Sequence, residues 1–117
     1  MLTIKKITGE SDFDQDLHRE QFVDFLYTHL GQFGDPKDAI NNCIDFAFGK
    51  NGLPGGFLLS AWYNGKLAGA LVVNNTGMKG YIPEHILVYV AVDAQLRGQG
   101  LGRKIVEFAL AECDGNV

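Results

Sequence analysis

The stretch that decides the fold is Val88-Tyr-Val-Ala-Val-Asp-Ala-Gln-Leu-Arg-Gly-Gln-Gly-Leu-Gly-Arg-Lys-Ile-Val-Glu-Phe-Ala-Leu110. It begins with an apolar run rich in valine, which predicts a buried strand. Glycine then occupies positions 98, 100 and 102, and apolar residues recur at helical spacing after them. The stretch therefore predicts a strand that passes through a glycine-rich turn directly into an amphipathic helix.

This order of elements is suited to binding an anion. Glycines leave backbone N–H groups uncovered and tolerate positive φ, and the first turn of a helix points its N–H groups and positive dipole end at the same place. Arg97, Arg103 and Lys104 add three cations to a chain whose formal net charge is −4. We therefore expect a phosphate-bearing ligand at the turn.

The spacing of the glycines narrows the class of ligand. A Walker loop requires Ser or Thr after its lysine, whereas Lys104 is followed by Ile105. A dinucleotide fingerprint requires two residues between its last two glycines, whereas a single residue separates Gly100 from Gly102. The alternative interpretation is a tight connection whose glycines serve packing alone.

The segment Arg97-Gly98-Gln99-Gly100-Leu101-Gly102 resembles the Arg/Gln-x-x-Gly-x-Gly/Ala signature of the GNAT superfamily of N-acetyltransferases. As in that family, a strand of the type Leu87-x-x-Val90-x-Val92 precedes it. The resemblance implies transfer of acetyl from acetyl-CoA to a primary amine of a small molecule or peptide, with a backbone N–H near Val90 as donor to the thioester oxygen. The implied cofactor-binding residues are Val90, Val92, Arg97, Gly98, Gln99, Gly100, Leu101, Gly102 and Arg103.

The rest of the sequence predicts an α/β domain. A short strand spans residues 2–7, and a first helix ends near Gly31, with Ser11 and Asp14 at the spacing of a capping box upstream. Asp35-Pro36 predicts the start of a second helix. Asn64-Gly65 predicts a hairpin between strands 57–63 and 66–73, and a further strand at 86–92 leads into the last helix.

The predicted order, β-α-α-β-β-β-α, is similar to the first part of the GNAT fold. We expect residues 1–117 to form a single GNAT-like domain, a mixed sheet flanked by helices and truncated at its C-terminus. The resemblance implies that a fifth strand and a thiolate-protonating tyrosine belong to the missing portion. We therefore expect a homodimer through the exposed edge of strand 86–92, and little or no acetyl transfer from the chain alone.

The acceptor amine must lose a proton before it attacks, so a base is needed. Candidates lie where a polar loop enters the central strand: Glu84 is the first choice, His85 follows it, and Tyr89 lies within the strand. Each also has a structural interpretation, as a solvated strand end for Glu84 and His85 and as the wall of a half-buried sheet for Tyr89. His18 and His29 have no ligand pattern and are interpreted as helix-face residues.

Composition and charge exclude several classes of protein. The negative net charge argues against nucleic acid as a partner. The sequence has neither an apolar stretch of membrane-spanning length nor a signal-peptide core, so we expect a cytoplasmic protein without membrane contact. Cys43 and Cys113 lack metal-ligand spacing, so we expect reduced core thiols and no metal site.

Two questions stay open at this point. Acidic residues crowd the N-terminal third, and they are either solvated helix faces or a means of attracting a cationic amine. They are Glu10, Asp12, Asp14, Asp16, Glu20 and Asp24. The alternatives to an enzyme are a non-catalytic acyl-CoA-binding or regulatory module and an oligomerisation fragment that binds no cofactor.

Overall fold

The computed structural model describes residues 2–13, 15, 17–30, 36–52, 55–75, 85–93, 96 and 100–112. The helices and strands are β1 (Leu2–Ile7), α1 (Arg19–Leu30), α2 (Lys37–Ala47), β2 (Gly56–Tyr63), β3 (Lys66–Asn75), β4 (His85–Val92) and α3 (Leu101–Glu112). Short 3₁₀ turns span Glu10–Asp12 and Lys50–Gly52. The predicted order of elements is confirmed.

The described strands form one antiparallel sheet in the order β1-β2-β3-β4. The chain reverses between β2 and β3 at Asn64 and Gly65, whose φ values of 52° and 82° are those a two-residue hairpin turn requires. The predicted hairpin is therefore confirmed. β4 lies at the edge of the sheet, and no strand among the described residues pairs with its outer side.

A bulge interrupts the pairing of β4. Tyr89 lies opposite Val72 and Leu87 lies opposite Val73, so Val88 has no partner on β3. The extra residue breaks the alternation of side chains along the strand. Val88 and Tyr89 consequently pack on the same face of the sheet, although they are adjacent in sequence.

The apolar core lies on both faces of the sheet. α1 and α2 cover one face, where Leu26 and Ile44 are fully buried, and α3 covers the other through Ile105 and Ala109. Gly69 on β3 allows α3 to lie close, because a Cβ at that position would come within 2.4 Å of Ile105 Cδ1. The last helix therefore packs against the sheet as predicted.

The first helix begins differently from the prediction. α1 starts at Arg19, and the side-chain Oε1 of Gln21 accepts a hydrogen bond of 2.7 Å from the backbone N–H of His18. This bond is half of a capping box, and it lies several residues after the predicted one. Ser11 lies in a 3₁₀ turn instead, while Asp14 lies outside the described residues.

The second helix begins one residue later than the predicted first position. α2 starts at Lys37, because Pro36 has a ψ of 154° and is extended rather than helical. The backbone carbonyl of Pro36 still accepts a hydrogen bond from the Ile40 N–H at 3.1 Å, so Pro36 occupies the cap. Asp35, the predicted cap, lies outside the described residues.

An ion cluster of Glu10, Arg19, Asp45 and Lys50 ties α1 and α2 to the 3₁₀ turn at residues 10–12. Arg19 donates to Asp45 at 2.7 Å and also to Glu10, and Lys50 Nζ lies 3.2 Å from Asp45 Oδ1. The pKa of Asp45 is lowered chiefly because the Arg19 guanidinium donates a hydrogen bond to its carboxylate. The cluster therefore serves the fold rather than a ligand.

Candidate functional site

A cavity of about 860 Å³ opens beside the edge of β4. Three elements supply its walls: the end of α1, the second half of β4 and the first turns of α3. The lining residues are His29, Leu30, Val90, Ala91, Val92, Leu96, Gly100, Leu101, Gly102, Arg103, Val106 and Glu107. Since its volume falls in the range of small-molecule sites and most of its wall is the stretch that decides the fold, we take it as the candidate site.

Gly100 forms the described part of the glycine turn. Its φ of 79° is in the left-handed region, and a Cβ added there would meet no heavy atom within 4 Å. Its carbonyl accepts a hydrogen bond of 3.2 Å from the Lys104 N–H, which begins α3. The N–H groups of Leu101, Gly102 and Arg103 therefore have no partner within the helix and lie at its positive end.

Gly102 has a different role from Gly100. It lies within the first turn of α3 and has no positive φ. A Cβ at this position would lie 3.4 Å from Val92 Cγ2, at the short end of ordinary van der Waals contact, so the start of α3 packs directly against the end of β4. The turn therefore uses the left-handed conformation of glycine at Gly100 and not at Gly102.

The connection between β4 and α3 is described only in part. The backbone N–H of Asp93 donates to the Ala68 carbonyl, and the Asp93 carbonyl accepts from the Leu96 N–H, both at 2.8 Å. The chain therefore turns as soon as β4 ends. Arg97, Gly98 and Gln99 lie outside the described residues, so their contacts with a pyrophosphate stay predictions.

Arg103 supplies a positive charge to the cavity wall. Its side chain is 86% exposed, and its Nε donates a hydrogen bond of 3.0 Å to Glu107 Oε1 one turn further along α3. An exposed ion pair at this spacing stabilises a helix by about 0.3–0.5 kcal/mol. A phosphate group can therefore take Arg103 away from Glu107 with little loss of stability.

Among the three catalytic candidates, Tyr89 is the one whose side-chain surroundings the structure describes. Tyr89 is buried, at 8% exposure, and packs under α1 and α2, where Cys43 Sγ lies 3.8 Å from its hydroxyl. It does not belong to the cavity lining. His85 begins β4, and Glu84 lies outside the described residues.

Sequence reasoning missed the contribution of α1 to the cavity. His29 lines it, and the His29 ring packs against the Phe25 ring with 4.4 Å between their centroids. The two residues are four positions apart, which places them on one face of a helix. The resemblance to the GNAT family implies an acceptor pocket beside residues 31–35, which follow α1, but it does not single out His29.

The described acidic residues of the N-terminal third do not line the cavity. Glu10 belongs to the ion cluster, and Asp24 lies 2.8 Å from Lys37 Nζ. Asp12 accepts hydrogen bonds from the backbone N–H and the hydroxyl of Thr8, at 2.8 and 3.1 Å, and these bonds lower its pKa. These three carboxylates therefore have structural partners.

Within the described part of the chain, no three His, Cys, Asp or Glu side chains come close enough together to hold a metal ion. None of the helices described above is both long and apolar enough to span a membrane.

β4, the turn at Gly100 and the N-terminus of α3 surround one cavity, and this arrangement is suited to a phosphate-bearing ligand. The sequence profile of the Acetyltransferase (GNAT) family matches residues 15–116, so the chain belongs to this family. The resemblance noted in the sequence is thereby confirmed. No curated protein sequence matches the chain.

Solved structures share the fold. The ribosomal-protein-S18-alanine N-acetyltransferase from Escherichia coli is 18% identical, with a TM-score of 0.63, and the match covers 96% of this chain and 59% of that one. IAA acetyltransferase from Bacillus cereus ATCC 14579 is 16% identical, also with a TM-score of 0.63, over 96% and 57%. A transcriptional regulator from Bacillus halodurans C-125 is 22% identical, with a TM-score of 0.62, over 96% and 73%. The chain thus spans less than two thirds of the first two proteins.

Proposed function

We propose that the chain is an acetyl-CoA-dependent N-acetyltransferase that acts on a primary amine of a small molecule or peptide. The observation that carries the proposal is a single cavity that joins the start of α3 to the edge of β4. Membership of the GNAT family supports acyl transfer in general. The turn at Gly100 and the end of β4 both line the cavity, which supports the binding of one ligand by both.

The residues of the cavity suit acetyl-CoA. Open space at Gly100 and the helix N–H groups of Leu101, Gly102 and Arg103 are suited to a pyrophosphate, with the Arg103 guanidinium as a counter-charge. Arg97, Gly98 and Gln99 complete this set in the proposal. Val90 and Val92 lie on the apolar wall, where their backbone groups are proposed to bind the pantetheine amides.

Acetyl-CoA supplies an activated acetyl group in the form of its thioester. The backbone N–H near Val90 is proposed to stabilise the negative charge that develops on the thioester oxygen. Glu84 stays the sequence-based proposal for the base that deprotonates the amine, with His85 as the next candidate. Tyr89 is a third candidate. Its side chain is buried under α1 and α2 and does not line the cavity, so it is less well placed to reach the amine.

A homodimer is also part of the proposal. Ile86 is 52% exposed at the start of β4, outside the cavity lining, and Leu110 on α3 is 50% exposed. An edge strand with an exposed apolar side chain is a surface that a second copy can cover. We place the interface at the start of β4, which leaves Val90 and Val92 to the cofactor.

Two measurements test the proposed function. Calorimetric titration with acetyl-CoA is expected to show one binding site per chain. Release of free thiol in the presence of an amine panel is expected from a chain that carries the full C-terminal portion of the GNAT fold, with little or none from the present chain alone. Binding without thiol release by that longer chain would identify a non-catalytic acyl-CoA-binding module instead. Absence of binding would contradict both functions.

A further inference from the structure

His29 shares the cavity with the glycine turn, although it comes from the end of a different helix. Its ring packs on Phe25, with centroids 4.4 Å apart and planes inclined at 48°. Phe25 is buried in the core beneath α1, so it provides a fixed surface for the imidazole. This contact holds the His29 ring at the cavity wall.

The composition of the wall gives an imidazole a chemical task there. Among the described lining residues, His29 and Glu107 have side chains that can accept a proton, and Glu107 already accepts a hydrogen bond from Arg103. Apart from Arg103, the remaining described lining residues are apolar or glycine. An imidazole has two nitrogens, so one can keep a hydrogen bond within the protein while the other receives a proton.

We propose that His29, in place of Glu84, is the catalytic residue that accepts the proton which a protonated amine must lose before it attacks. The inference rests on the proposed acetyltransferase function and deepens it. It names the substrate class as amines that carry a positive charge at neutral pH. It also places the acceptor on the α1 side of the cavity, with Arg103 and Glu107 of α3 as the other charged lining groups.

One proton passes from the ammonium nitrogen to an imidazole nitrogen of His29 and then to solvent. The lone pair this frees forms the N–C bond with the thioester carbonyl carbon, and the C–S bond breaks. A second proton leaves the same nitrogen and ends on the departing thiolate, which gives an amide and a free thiol.

Chemical modification tests the location of His29 without any turnover. Diethyl pyrocarbonate modifies imidazoles, and peptide mass spectrometry reads each site separately. Acetyl-CoA at about ten times its Kd is expected to slow modification of His29 about tenfold, because only the free protein reacts. His18 is exposed and lies outside the cavity lining, so its modification is expected to stay constant. Unslowed modification of His29 in protein that calorimetry shows to be saturated would overturn the placement.

Acceptor selectivity tests the role of His29. Benzylamine is an ammonium ion at neutral pH, whereas aniline is already uncharged, so only benzylamine needs the base. In a chain that carries the full C-terminal portion of the fold, we expect His29→Gln to lower kcat/KM for benzylamine about 100-fold and kcat/KM for aniline by much less. His18→Gln is the matched control, and it is expected to change none of these quantities.

Three results would overturn the role. An equal loss for both acceptors would assign His29 a structural function. A loss confined to benzylamine in Glu84→Gln, with His29→Gln unaffected, would assign the base to Glu84. Binding of acetyl-CoA without transfer to either acceptor, in a parent chain that carries the full C-terminal portion of the fold, would refute the proposed function and the catalytic role together, while the modification experiment would still show whether His29 lies at the cofactor.

Discussion

Replacement of Gly100 by aspartate tests the anion site, and the chain offers a matched control for it. Gly100 and Gly65 have φ values of 79° and 82°, and a Cβ added at either would meet no heavy atom within 4 Å. An L-residue in this conformation costs about 1–2 kcal/mol of stability. Gly100→Asp and Gly65→Asp are therefore expected to lower the free energy of unfolding by similar amounts.

The two variants differ in their effect on binding. The new carboxylate at position 100 lies at the start of α3, where the pyrophosphate is proposed to bind, whereas position 65 lies in the β2–β3 turn outside the cavity lining. Two unit charges about 4 Å apart repel by about 1 kcal/mol in water and about 4 kcal/mol near a protein surface. Since 1.4 kcal/mol is a tenfold change, we expect Gly100→Asp to weaken acetyl-CoA binding by about tenfold or more.

Isothermal titration calorimetry at two ionic strengths provides the assay. The loss in Gly100→Asp is expected to shrink as salt increases, because screening reduces repulsion between exposed charges. Gly65→Asp is expected to bind like the parent chain. Equal affinity in the two folded variants would refute the assignment of the glycine turn as the phosphate site.

Three further predictions concern other parts of the structure. Glu107→Gln releases Arg103 for the ligand and is expected to tighten acetyl-CoA binding about twofold, whereas Glu112→Gln, on the same helix but outside the cavity lining, is expected to leave the Kd unchanged. Calorimetry that shows equal effects of the two substitutions would contradict the role of Arg103 in binding the ligand. The lowered pKa of Asp45 stabilises the fold at pH values above its unfolded pKa of about 4, so Asp45→Asn is expected to lower the free energy of unfolding by about 1 kcal/mol or less near neutrality. This loss is expected to disappear as pH falls through the folded pKa, and a pH-independent loss in chemical denaturation would contradict the prediction. Ile86→Lys is expected to yield monomers in analytical ultracentrifugation, whereas Tyr27→Lys, at a site of similar exposure (50% against 52%), is not; unchanged association in both would exclude the interface at the start of β4.

Local chemistry explains why much of the fold could be predicted. Asn64-Gly65 tolerates the positive φ of a two-residue turn, so the hairpin follows from a dipeptide and two flanking apolar runs. The strand, glycine turn and helix around Gly100 follow equally from neighbouring residues. Such features depend on interactions within a few positions along the chain, which are visible in the sequence.

The features that the sequence did not predict depend on distant partners or on competing local patterns. The bulge at Val88 arises from the register of β4 against β3, and the position of His29 arises from the packing of α1 beside β4. The sequence predicts the cap of α1 at Ser11, because Ser and Asp at this spacing match the usual pattern better than His18 and Gln21 do.

The most direct test of the account is to map acetyl-CoA binding on the chain by NMR. Backbone amide resonances of Leu101–Arg103, at the start of α3, and of Val90–Val92, at the end of β4, are expected to shift during titration. The amides of β1, which lies at the opposite edge of the sheet, are expected to stay in place. Saturable shifts confined to the first two segments would support the proposed site. Absence of binding, or shifts confined to β1, would contradict it.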